Sequence, residues 1–117
     1  MDPDAALGIV RDIVEALDYA LALAAQIGSD RKYADLTLRT LIQKDASSSP
    51  VLIADVYSLR HDPDQVFAWL ERARVQRDPS MVWLLSDVFI LRYAQDARFA
   101  ELTRKLGLPN PTAPRAQ

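Results

Sequence analysis

Apolar residues recur along the chain at helical spacing. Ala34, Leu38, Leu41 and Ile42 fall at i, i+4, i+7 and i+8, which places them on one face of a 3.6-residue turn. Val66, Leu70 and Ala73 repeat the comb, and Phe99, Leu102 and Leu106 repeat it again. Val51, Ala54, Val56, Tyr57 and Leu59 mark a short, mostly apolar helix, from Pro50 to Arg60. Val82 to Tyr93 is almost continuously apolar, broken by Ser86, Asp87 and Arg92, and reads as a helix from Ser80 to Tyr93. No segment of four or more residues alternates with period two, so no strand is expected. The fold class predicted is all-α.

Polar punctuation agrees with the stripes. Asp2-Pro3, Ser49-Pro50, Asp62-Pro63 and Asp78-Pro79 each set a capping side chain before a proline. Proline suits the first helical position, where its missing N–H would be unpaired anyway. The preceding Asp or Ser accepts a bond from an orphan N–H one turn in. Asp62 and Gln65 have capping-box spacing. Two further starts lie at Ser29-Asp30, just after Gly28, and at Asp96. The first 27 residues leave two readings open: one long helix, or two with a break near Asp12. The favoured division is Pro3 to about Arg11, then Ile13 to Ile27. Leu7, Val10, Val14, Leu17, Leu21 and Ala24 step at three or four residues throughout. At the other end, three prolines between Leu108 and Pro114 predict a disordered tail over 110–117.

The helices also repeat. The second helix of each putative pair begins near Asp30, Pro63 and Ala97, 33 and 34 residues apart. Three helix–turn–helix units follow, at about 13–45, 49–77 and 79–107, within one domain over 1–109. A period near 34 is the length of a tetratricopeptide repeat.

The segment from Ala54 to Ala73 resembles one such repeat. Tyr57 stands at the aromatic position of its first helix and Ala54 at the small position before it. Val66, Leu70 and Ala73 match the second-helix stripe. The pattern departs at His61, where the turn usually has Gly, and at Ser47 to Val51, which lack the first-helix Trp. The first unit has Ala24 or Ala25 in the aromatic position. From Phe67 to Pro109, the order Ala68-Trp69-Leu70-Glu71-Arg72-Ala73, Gln76-Arg77-Asp78-Pro79, Val82-Trp83-Leu84, Asp96-Ala97-Arg98-Phe99 and Leu106-Gly107-Leu108-Pro109 resembles the last repeats of bacterial tetratricopeptide proteins. Those are often fused to cyclase, kinase or winged-helix regulator domains, and this chain looks like such a tail alone. The likeness covers about Tyr19 to Pro109.

The resemblance implies a curved stack of five to six helices, with first helices lining a concave face that receives a partner's peptide or helix. On that reading Asp18, Ala22, Gln26, Leu52, Asp55, Ser58 and Leu59 flank the groove. The alternative is a self-associating domain of a larger bacterial signalling protein, a homodimer joined through the Leu7, Val10, Val14 face or the Val88-Phe89-Ile90-Leu91 run.

Composition narrows the chemistry. In 117 residues, Lys+Arg number 14 against Asp+Glu 16, for a formal charge of −2. No basic footprint marks a nucleic-acid partner. The absence of cysteine removes disulfides and thiolate chemistry, and a lone histidine excludes a His-rich metal site. With three scattered glycines no phosphate-cradling loop forms. No apolar run approaches membrane-span length, and Met1-Asp2-Pro3-Asp4 is acidic where a secretory leader would be basic. The expectation is a cytoplasmic, non-enzymatic protein without cofactor or metal.

The individual candidates have plain structural accounts. His61 reads as a turn residue at a helix C-terminus rather than a general base. Asp55, Asp62, Asp64, Asp78 and Asp87 form no calcium-loop pattern, and capping accounts for Asp62 and Asp78. Asp35–Arg39 and Glu101–Lys105 have the spacing of surface ion pairs. Arg72, Arg74 and Arg77 beside the tryptophans read as a solvated helix face rather than a stacking platform. Trp83, with Leu84, Phe89 and Tyr93, is expected in the core between the second and third units. Trp69 is expected to pack against the following helix.

Overall fold

Aspartates start almost every helix. The computed structural model describes residues 2–109. These form α1 (Pro3–Ile27), α2 (Arg31–Asp45), α3 (Pro50–Leu59), α4 (Pro63–Gln76), a 3₁₀ segment (Pro79–Ser86), α5 (Val88–Leu91) and α6 (Ala97–Leu106). There is no strand among the described residues. Asp2, Asp30, Asp62, Asp78, Asp87 and Asp96 each accept a backbone N–H at the element they precede. Ser49 departs from expectation: it makes no side-chain cap. Asp78 takes over instead, its Oδ2 accepting Val51 N–H at 3.1 Å while Oδ1 accepts Ser80 N–H at 2.9 Å. One buried carboxylate thus caps two elements.

Two expectations about helix boundaries need correction. The favoured break near Asp12 is absent, and α1 is one helix of 25 residues. Gly8 and Asp12 together cost only about 1–2 kcal/mol of helix propensity, and no proline interrupts the ladder there. The second correction lies at Ser80 to Tyr93, which is not a single α-helix. A 3₁₀ segment runs to Ser86, and Asp87 restarts the chain by accepting Phe89 N–H at 3.0 Å and Ile90 N–H at 3.3 Å. Three residues per turn put Met81 and Leu84 on the inner face and turn Val82 and Trp83 outward. Trp83 is 69% exposed, where the sequence reading put it in the core. The expected disordered tail, 110–117, lies outside the described residues.

The elements pack as successive pairs. α1 packs on α2, α3 on α4, then α3 on α5 and α4 on α6. α3 is central, with Val51, Ile53, Ala54, Asp55, Val56 and Ser58 all buried. Two apolar clusters result. One gathers Ala22, Leu38, Leu41, Ile53 and Val56, and the other includes Val66, Leu70, Leu84, Ile90 and Phe99. Tyr57 and Trp69 pack against both, and Arg72 lies 4.8 Å over the Trp69 ring.

Polar ties between pairs repeat with the period. Arg60 donates to Gln26, Arg92 to the Ser58 carbonyl and Arg98 to Asp64, each across 34 residues. Asp35 pairs with Arg60 at 2.7 Å, not with Arg39, and Glu101 pairs with Arg104, not with Lys105. The chain is drawn out, 55 × 39 × 21 Å, with a radius of gyration of 15.7 Å. A compact chain of this length would have about 13 Å. The first half of α1 contributes to this, because the helix's buried residues, Ala22, Ala25 and Gln26, all lie in its second half.

Candidate docking groove

The central helix carries one acid inside an otherwise apolar segment. Asp55 is 4% exposed, and Tyr19 Oη of α1 donates to its Oδ2 at 2.9 Å. Its Oδ1 is buried and has no donor facing it, while the Asp87 carboxyl lies within hydrogen-bonding reach. Burial, then the Asp87 charge, pushes the Asp55 carboxyl up to about 9. Asp55 therefore keeps its proton at neutral pH. Burial, reinforced by Asp55, raises the Tyr19 phenol as well, so Tyr19 stays a donor.

Around this pair lies an open groove of about 300 Å³, lined among others by Tyr19, Leu52, Asp55, Trp83, Asp87 and Phe89. Three elements build it. α1 supplies the phenol, α3 supplies Leu52 and Asp55 one helical turn apart, and the 3₁₀ segment with α5 supplies the far wall. Val88, 71% exposed, joins Trp83 on the rim. The lining mixes the buried Asp55 with exposed apolar side chains, Trp83 and Val88. That combination holds an apolar side chain beside a hydrogen-bonding group. Among the described residues no three His, Cys, Asp or Glu side chains converge as a metal site. No described helix is long and apolar enough to cross a membrane.

The seven residues expected to flank a groove separate into three groups. Leu52 and Asp55 line it. Asp18 lies elsewhere, accepting Lys44 Nζ at 2.9 Å, and Leu59 is half-buried at the end of α3. Ala22, Gln26 and Ser58 are corrected: they are packed inside and offer a partner no surface. Gln26 Nε2 donates to the Ala22 and Ala34 carbonyls, each at 3.1 Å, and Oε1 accepts Arg60 at 2.9 Å. Ser58 Oγ donates to the Phe89 carbonyl at 2.5 Å. The sequence reading missed Tyr19, Trp83, Asp87 and Phe89. A usable signal existed for two of them. Asp87 is a capping residue inside an apolar run, which marks the end of a separate segment before it, and Trp83 lies in that segment.

No protein-family model, curated protein or solved structure matches this chain.

Proposed function

We propose that the chain is a tetratricopeptide-type stack of helical pairs whose groove docks a segment of a partner protein, without catalysis. The stacked pairs and the inter-pair bonds at 34 residues support the repeat reading. The observation that carries the docking reading is Trp83, 69% exposed on the rim of the groove that the buried Asp55 and the half-buried Asp87 also line. A large exposed aromatic beside a cavity is the residue type that dominates interface energetics. The partner segment would bring an apolar side chain to Trp83 and Val88, and a donor to the Asp87 carboxylate. With Asp55 neutral, the lining carries a single negative charge, which favours a lysine, arginine or amide donor.

The test is selection from a random peptide library on the intact chain, followed by titration of the enriched peptide. Trp83→Ala and Leu52→Asp should each weaken binding about 10- to 100-fold, the scale of an interface anchor. Their unfolding midpoints should change little. Affinity unchanged by both substitutions, or no enrichment at all, would remove the groove.

A further inference from the structure

The first helix carries a second, separate surface. Leu7, Val10, Val14, Leu17, Leu21 and Ala24 follow one another at 3, 4, 3, 4 and 3 residues. This is the a/d spacing of a two-helix seam. The five large residues are 62, 56, 44, 57 and 49% exposed, and Ala24 is exposed too. The seam lies about a third of a turn around α1 from Ala22, Ala25 and Gln26, which face the body. An isolated helical half of this length is marginal in water without something packed on it.

We propose that α1 of a second copy lies antiparallel along this seam, forming a two-fold dimer. Several features select that occupant. The spacing is what one helix offers another of the same spacing, and both copies carry it. Antiparallel layers set Leu7 against Ala24, Val10 against Leu21 and Val14 against Leu17, so the largest side chain of the free end meets the smallest of the anchored end. Charge chooses the direction. Arg11 and Asp18 occupy the same edge of the seam, seven residues apart. Antiparallel pairing brings Arg11 of each copy beside Asp18 of the other, twice by symmetry. The Lys44 bond to Asp18 uses Oδ2, leaving Oδ1 for Arg11. Parallel pairing would set Arg11 against Ala6 and Asp18 against Ile13, with no ion pair.

The anchored end is also prepared on α2. Tyr33 and Leu36, 45% and 55% exposed, continue the apolar surface beyond Leu21. Shallow grooves lie between the helices, one lined by Leu21, Ala24 and Tyr33, the next by Leu21, Leu36 and Thr37. The unsupported half of α1 in one copy would thereby cover the shallow α1–α2 grooves of the other. Tyr19 of the docking groove is two residues from Leu21, about 200° around the helix. The dimer and the groove do not compete, and either can stand without the other.

Sedimentation of the full chain over a wide concentration range tests association. The expected result is a monomer–dimer equilibrium that Leu17→Glu weakens about 100-fold, the effect of a charge buried at the centre of a seam. Circular dichroism should show Leu17→Glu folded, since Leu17 is exposed in the monomer. Arg11→Glu should weaken the dimer, and Arg11→Glu with Asp18→Lys should restore it. The chain has no cysteine of its own, so direction is read by disulfide capture. Leu7→Cys combined with Ala24→Cys should give a covalent dimer on mild oxidation, and Leu7→Cys alone should not. A wild-type chain monomeric at every concentration overturns the proposal, as does a dimer indifferent to Leu17→Glu. Cross-linking by Leu7→Cys alone overturns the antiparallel arrangement.

Discussion

Tyr19 and Asp55 meet across 2.9 Å, phenol to carboxyl, and bind α1 to the buried central helix. The carboxyl there titrates at about 9, against 3.8 when unfolded. Between those values the folded chain holds a proton that the unfolded chain has released. Stability is therefore fullest below the unfolded value and falls as pH rises toward 9. Asp45, raised by its own burial and by Glu15 and Asp18, acts in the same direction. Thermal midpoints should decline from about pH 5 to about pH 9. Asp55→Asn keeps the shape, removes the proton and should flatten the decline. A midpoint that climbs across that range would contradict a protonated Asp55 in the fold.

The Ser58 side chain joins α3 to α5 through the Phe89 carbonyl at 2.5 Å. Its own carbonyl accepts Arg92 at 3.1 Å and the Tyr93 hydroxyl at 3.4 Å. Ser58→Ala leaves a half-buried carbonyl short of a donor, which costs about 1–2 kcal/mol. Calorimetry should show the lowered midpoint. Amide exchange should show α5 loosened more than α2. An unchanged midpoint would mean that water replaces the hydroxyl.

Among the described residues, two with side chains occupy left-handed backbone. His61 and Arg77 both have φ 58, a conformation that costs an L-residue about 1–2 kcal/mol. Bonds at the turn hold His61 in place: its N–H donates to the Ser58 carbonyl, and Asp62 N–H donates to that of Tyr57. His61→Gly should raise stability by about 1 kcal/mol. Gly107, φ 70, caps α6, and Gly107→Ala should lower it by a similar amount. Chemical denaturation of the two variants checks the opposed signs. Destabilisation by His61→Gly would show that the imidazole makes a contact of its own.

Gly8 offers the reverse case. It sits inside α1, where a methyl group would meet nothing within 4 Å. Gly8→Ala should strengthen the helix by about 0.5–1 kcal/mol. The gain belongs to the unsupported half of α1 and should appear as increased helicity by circular dichroism. No change would indicate that this half is already fully formed.

Local chemistry was readable in the sequence where one residue suffices to dictate it. Asp30, Asp62 and Asp96 cap helices because a short acceptor sits before a run of orphan N–H groups. His61 stands where a glycine is usual, and its backbone has the conformation that glycine tolerates. The stripes of Leu38 and Leu41, or Leu70 and Ala73, identify buried faces because the period sets direction. Reading failed where two ladders compete at small cost. The apolar run after Pro79 satisfies either 3.6 or 3 residues per turn, and choosing the second turns Trp83 outward. The candidate groove depends on that rotation, and also on Tyr19 reaching Asp55 from 36 residues away, which no spacing rule supplies. Ser58 and Gln26 were assigned to a surface for the same reason: polar type does not tell whether a partner is solvent or the next helix.

Tyr57 and Trp69 pack against both apolar clusters, so a pair of aromatic rings bridges them beside the central helix α3. Damage at Leu41 and damage at Phe99 should sum without interaction, as for distant sites. Altering Tyr57 should instead make the two halves melt as separate events.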